Sequence, residues 1–132
     1  MAQRSRDWMD QALRDLDRAR LDVQYEYYEW ACFVCQQAAE KAVKAVHYAR
    51  NKSVRGHGIL KLLQTLLDEE ESADERSQLL HDARILDRYY IESRYPNGFP
   101  VGKPADYFDL PLAVEALHAA EEIIGFCQHR VD

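Results

Sequence analysis

Apolar residues in the first third of the chain recur at helical spacing. Trp8, Ala12, Leu16, Ala19 and Val23 follow one another at steps of four, four, three and four, the stripe of an amphipathic helix. Ala31, Val34 or Cys35, Ala38, Ala42, Ala45 and Ala49 repeat the pattern and predict a second helix. The turn between them falls near Tyr25 to Glu29, with no glycine to mark it. No Gly or Pro occurs before Gly56, and since Gly costs about 1 kcal/mol and Pro about 3 inside a helix, this stretch tolerates long helices. The alanine face of the second helix predicts a neighbour packed at the short end of the usual 8–10 Å interaxial range.

A shorter third helix is predicted from Ile59 to Leu67, with Leu60, Leu63 and Leu67 on one side and the acidic run Asp68-Glu69-Glu70-Glu71 at its end. Ser72-Ala73-Asp74-Glu75 reads as a capping box for a fourth helix, whose buried stripe is Leu79, Ala83, Leu86 and Tyr90. All four prolines lie between Pro96 and Pro111. They bound a loop from Asn97 to Leu110 that carries Phe99, Tyr107 and Phe108, and a loop of this length is more often functional than a short connection. Asp109 and Pro111 mark the start of a last helix, with Ala113, Ala116, Leu117, Ala120, Ile124 and Cys127 facing inward. Nothing reads as a strand. The expected architecture is one all-α domain over residues 1–132, an antiparallel up-and-down bundle of four to five helices.

The 132 residues suffice for one real core. No stretch is apolar for long enough to span a membrane, and the first residues lack the apolar core of an export signal. Three cysteines do not make a disulfide framework and fit a reducing cytoplasm. Cys32-Phe33-Val34-Cys35 spells a CxxC, but inside a predicted helix and with only Cys127 as a further thiol, so buried cysteines are expected rather than a redox or zinc site. His81, His118 and His129 show no ligand spacing. No metal and no cofactor is expected.

The net charge of −6 argues against a wholly basic nucleic-acid binder, yet charge is segregated. Six basic side chains (Lys41, Lys44, Arg50, Lys52, Arg55, Lys61) run without a carboxylate, with His47 and His57 among them. They suit either a local anion site or a helix C-terminus dressed with cations. Ala83 to Pro96 concentrates Arg84, Arg88 and Arg94 with Tyr89, Tyr90 and Tyr95. Guanidinium forks suit phosphate and phenol faces suit bases; equally, such residues can cover a core with their stems and rings.

Gln36-Gln37-Ala38-Ala39-Glu40-Lys41-Ala42-Val43-Lys44-Ala45 resembles the QxAxEKxxKA signature of HEPN domains, the "higher eukaryotes and prokaryotes nucleotide-binding" bundles. Trp8, His57 before Ile59-Leu60, and Leu86-Asp87-Arg88-Tyr89-Tyr90 followed by Arg94-Tyr95-Pro96 agree with it, in order along nearly the whole chain. The resemblance implies four or five antiparallel helices and a homodimer. It also implies, for many members, a minimal nucleotidyltransferase encoded nearby as toxin–antitoxin partner. Toxic members are metal-independent ribonucleases using an Arg-x4–6-His pair, and the tyrosine after that histidine can be the residue the partner modifies. Others are nucleotide-binding or protein-binding modules.

Arg76 with His81, and Arg50 with His57, both fit the pair's spacing, but twelve arginines and five histidines supply that many matches by chance. In catalytic members the histidine precedes a basic residue and a tyrosine. Here the corresponding slot is Asp87-Arg88-Tyr89. An aspartate is a far weaker base than histidine and repels phosphate. The expected function is therefore a non-catalytic module that binds a nucleotidyltransferase partner, a nucleotide or RNA, as a homodimer. Arg84, Arg88, Tyr89, Arg94 and Tyr95 are expected to form its surface, with Lys44 and His57 nearby; Tyr89 keeps the position of the tyrosine that, by the resemblance, a partner can modify. The alternatives are a ribonuclease toxin and a purely structural dimerising adaptor.

Overall fold

The computed structural model describes residues 2–70 and 74–131. Around one central helix, α2 (Tyr28–Ala49), pack α1 (Ala2–Gln24), α3 (Ile59–Asp68), α4 (Arg76–Asp87) and α7 (Leu110–Gln128). Two single-turn helices, α5 (Tyr89–Glu92) and α6 (Pro104–Tyr107), flank a 3-10 turn at Pro96–Gly98. The architecture is the all-α up-and-down bundle that the apolar stripes predict, and no described residue lies in a strand. Among the described residues no helix is long and apolar enough to cross a membrane.

The alanines explain why α2 takes the centre. Ala31, Ala38, Ala39, Ala42 and Ala45 are all buried. Their short side chains admit Met9, Ala12, Leu16 and Ala19 of α1 on one side, and Ala113, Ala116, Ala120 and Ile124 of α7 on the other. Bulk comes from Ile59, Leu63, Leu66 and Leu67 of α3 and from Leu86 of α4. Cys32, Cys35 and Cys127 are free and buried in this core. Burial pushes Cys32 and Cys127 up to about 12, and Cys35 well upward as well.

Both long N-terminal helices end without glycine. At the first end, Glu26 N donates to Val23 O (3.1 Å) and Tyr27 N to Asp22 O (2.8 Å). These are the two bonds of a Schellman motif, with Glu26 at the left-handed position (φ 66°). At the second end, Asn51 N bonds Tyr48 O (3.0 Å), Lys52 N bonds His47 O (2.9 Å), and Asn51 is left-handed (φ 60°). The missing glycine is thus an absence of marker, not of turn. The capping box fares differently. Ser72 and Ala73 lie outside the described residues, and α4 begins later, with Glu75 at the N-cap and no side-chain cap bond. The last helix starts where expected, Asp109 Oδ1 accepting from Leu112 N at 3.1 Å.

The long connection is not a bare loop. Phe99 stacks on Tyr107 (4.3 Å between centroids, 8°) and meets Phe108 edge-on at 6.3 Å. Phe108 in turn packs against Tyr89 at 5.5 Å. Its aromatics form a small second core that pins the segment to the end of the bundle.

One buried carboxylate sits on the seam between α4 and α7. Asp82 is buried, accepts from Gln78 Nε2 at 3.0 Å, and faces Glu122, which is itself paired with His118 (3.0 Å). Burial, followed by Glu122, pushes Asp82 up from 3.8 to about 7. The folded state therefore holds this proton where the unfolded chain has lost it. Stability contributed by the protonated form is full below about pH 4 and is lost as the pH rises through about 7. Urea unfolding measured across that interval should show the decline, and Asp82→Asn should flatten it. Glu26→Gly should stabilise the fold by about 0.5–1 kcal/mol in the same assay, by removing the cost of a left-handed side-chain-bearing residue.

Candidate functional site

Gln36, Glu40 and Lys44 fall four residues apart on α2, and all three are buried. A buried polar ladder on a core helix has to be hydrogen-bonded, and its partners come from the segment leading into α3. Gln36 Nε2 donates to His57 O (2.8 Å), while its own Oε1 accepts from Gln37 Nε2 (2.8 Å). Glu40 Oε2 receives Lys44 Nζ at 3.1 Å and lies 3.2 Å from His57 Nδ1. The Lys44 ammonium sits over the Trp8 ring, 5.8 Å from its centroid. With Lys44 on the same oxygen, Glu40 acts as acceptor, so His57 carries its proton on Nδ1 and leaves Nε2 without a bond to this ladder.

Asp87 completes the arrangement from α4. Helix α3 starts after Gly58, which has no side chain to cap it. The cap arrives from elsewhere: Asp87 Oδ1 accepts from Ile59 N and Oδ2 from Leu60 N, both at 2.9 Å, and Gln36 Nε2 lies 3.4 Å from Oδ1. Negative charge at a helix N-terminus is favourable on its own account. The residue in the histidine slot of the ribonucleases is here a structural acceptor with both oxygens engaged.

Outward from this frame lies an aromatic surface. The His57 ring, more than half exposed, stacks on Tyr90 (5.0 Å, 17°). Arg94 lies against three rings, its Cζ 4.2 Å from the Phe33 centroid, 5.0 Å from Tyr90 and 5.1 Å from Tyr95. Its Nε and Nη2 donate to Tyr90 O, Nε at 3.0 Å. Beside it, Arg94, Lys103 and Trp30 line a recess of about 120 Å³.

The residues singled out by sequence divide accordingly. Arg84, Arg88 and Tyr95 are exposed, and Arg94 and Tyr90 are half-buried. Tyr89 is not on the surface: it is 7% exposed, and burial raises its hydroxyl to about 12. It takes the core place expected of Tyr90 because three steps from Leu86 are as helical as four, and α4 gives way to α5 at Arg88. Lys44 is sealed under Trp8 rather than offered to a ligand. Arg76 is bonded to Asp68 (2.8 Å) while His81 is exposed. Arg50 bonds Glu70 (2.9 Å), apart from His57's ladder.

The basic run is largely neutralised, Lys41 by Asp15 and Lys52 by Glu69. Glu70 is held below the usual carboxylate range chiefly by Arg130, and Arg50 adds to the effect. Among the described residues no cluster of His, Cys, Asp or Glu is placed to hold a metal. Phe33 and Tyr90 were missed as site residues. Spacing carries a signal for Phe33, three before Gln36 on the ladder's side of α2, whereas for Tyr90 it points to the core.

Removing the Asp87 cap strands two backbone donors at the start of α3. Asp87→Ala should cost about 1–2 kcal/mol. Amide exchange should quicken first at Ile59 and Leu60, read by hydrogen–deuterium exchange.

The HEPN domain family model matches residues 5–130. The chain is 39% identical to TT1696 from Thermus thermophilus, whose crystal structure it matches with a TM-score of 0.89 over 96% of this chain and 98% of that one. It is 34% identical to ST0689, an archaeal HEPN homologue, with a TM-score of 0.79 over 97% and 98% of the two chains. An HEPN domain protein of Thermotoga maritima is 33% identical, with a TM-score of 0.73 over 93% and 95%. Human Sacsin is 30% identical over an alignment of 136 positions that covers 96% of this chain but 3% of Sacsin's length. The chain belongs to the HEPN domain family.

Proposed function

We propose that this HEPN domain is a non-catalytic binding module, active as a homodimer. Its outer surface of His57, Tyr90, Arg94 and Tyr95 holds a nucleotide or another phosphate-bearing ligand, and through it a minimal nucleotidyltransferase partner. The observation that carries the reading is the seating of Arg94. Five N–H groups leave a guanidinium, and Arg94 gives only Nε and one Nη2 hydrogen to the Tyr90 carbonyl. The rings of Phe33, Tyr90 and Tyr95 fix its plane, so the remaining donors meet phosphate at little entropic cost. Exposed Arg84 and Arg88 supply positive charge from the adjoining helix end, and the faces of Tyr95 and His57 are open to a base. Asp87 supports the non-catalytic part, because a carboxylate accepting two backbone N–H bonds is not free to take a proton from a ribose hydroxyl.

One observation favours a ribonuclease reading instead. His57 is oriented by a buried carboxylate, as a general base would be. RNA incubated with the protein in chelator separates the two. Cleavage that disappears in His57→Ala would replace the binding reading.

Under the binding reading, a nucleotide thermal-shift series should raise the melting temperature with ligand concentration, by about 2.7 kcal/mol of added stability at a hundredfold excess over Kd. Arg94→Glu combined with Arg88→Glu should abolish that shift while leaving the helical circular dichroism intact. An unchanged shift would remove this surface, and no shift in the parent protein would leave only the adaptor.

A further inference from the structure

The turn between α1 and α2 leaves a second surface that the proposed nucleotide site does not use. Tyr25 and Tyr27 flank Glu26 at the Schellman turn, and Leu21, Tyr25, Tyr27 and Trp30 are each between 44% and 65% exposed. Together with Arg18 and Asp22 they line one groove of about 420 Å³. Four large apolar side chains gathered in one open concavity mark a binding surface.

The groove is not merely greasy. Asp22, in its wall, is 5% exposed. Its Oδ1 accepts from Arg18 Nε at 3.1 Å, but Oδ2 is buried with no hydrogen-bond partner. An unpartnered carboxylate oxygen out of water is costly. It also stands in the last turn of α1, where the helix dipole adds negative potential. Two tyrosines and a tryptophan offer π-faces, whose quadrupoles attract positive charge. Arg18 supplies one cation, yet its side chain stays 65% exposed and reaches only Oδ1. An anionic ligand would have to settle beside the buried carboxylate. A compact positive group would be drawn by the carboxylate, the helix end and the rings together.

We propose that this groove binds an organic cation, an alkylated ammonium group of the kind carried by choline or by a methylated lysine, with Trp30, Tyr25 and Tyr27 around it and Asp22 as counter-ion. The groove shares Trp30 with the recess beside Arg94 but does not depend on the nucleotide reading.

The test uses Trp8→Phe, which leaves Trp30 as the sole tryptophan. Choline is titrated against its fluorescence, beside the neutral isostere in which carbon replaces the ammonium nitrogen. Choline should give a saturable change, and the isostere should bind about tenfold more weakly. Asp22→Asn should weaken choline, while Arg18→Gln, which removes the resident cation, should tighten it. Circular dichroism establishes that each variant is folded. A trimethyllysine peptide binding more tightly than choline would place the cation on a protein tail; equal affinity would place it on a small molecule. Equal binding of the isostere, no change with choline, or Arg18→Gln binding no more tightly than the parent would each overturn the proposal.

Discussion

One carboxylate fixes the relation between three helices. Asp87 reaches from the end of α4 to the first two amides of α3 and lies beside Gln36 of α2. Because α3 begins on a glycine, no local side chain could do this work. The consequence runs outward. Once the start of α3 is fixed, His57 is held by Gln36 and Glu40, and its ring becomes the platform on which Tyr90 stacks. Tyr90 then presents the carbonyl and ring that seat Arg94. Aromatic surface and helix cap are parts of one construction, built from the inside out.

The same construction explains why a polar signature lies on a core helix. Gln36, Glu40 and Lys44 would be unfavourable in an apolar seam if left alone. Here each is bonded to a neighbour or to the chain entering α3. Such a ladder specifies how that segment docks more sharply than apolar packing could, because a slip would strand several polar groups at once. The charged residues of the HEPN motif are therefore scaffold in this chain. Arg84, Arg88 and Tyr95, by contrast, are exposed, and Arg94 is half-buried.

Most of the bundle was legible from spacing. Ala12, Leu16 and Ala19 of α1, Ala31, Ala38, Ala42 and Ala45 of α2, and Ala113, Ala116, Ala120, Ile124 and Cys127 of α7 fill the core as the stripes predict, while Met9, Cys32, Ala39, Val43, Val46, Ala119, Ile123 and Phe126 join them from positions beside the stripes. What spacing could not resolve is a choice between adjacent residues. Tyr89 and Tyr90 lie three and four positions after Leu86, and only the break at Arg88 and the ring of Phe108 send the first inward. The Glu26 and Asn51 turns were invisible for a related reason: the bonds that stabilise them are between backbone groups, which every residue carries. Spacing left the basic run open between an anion site and a helix end dressed with cations because most of its partners are distant in sequence. Glu69, Glu70 and Asp15 meet those cations only after folding.

The first helix also meets the residues that follow the last one. Arg6 Nη2 lies 3.5 Å from the carbonyl of Val131, whose side chain is buried, and Arg130 grips Glu70 with two donors at 2.7 and 2.9 Å. A bundle whose first and last helices are tied side by side can be spliced into another protein's surface loop without prying that host apart. By the same geometry a short linker could join Val131 to the start of α1, and the chain could be opened at the exposed turn of residues 96–98, giving a rearranged chain order with the same interior.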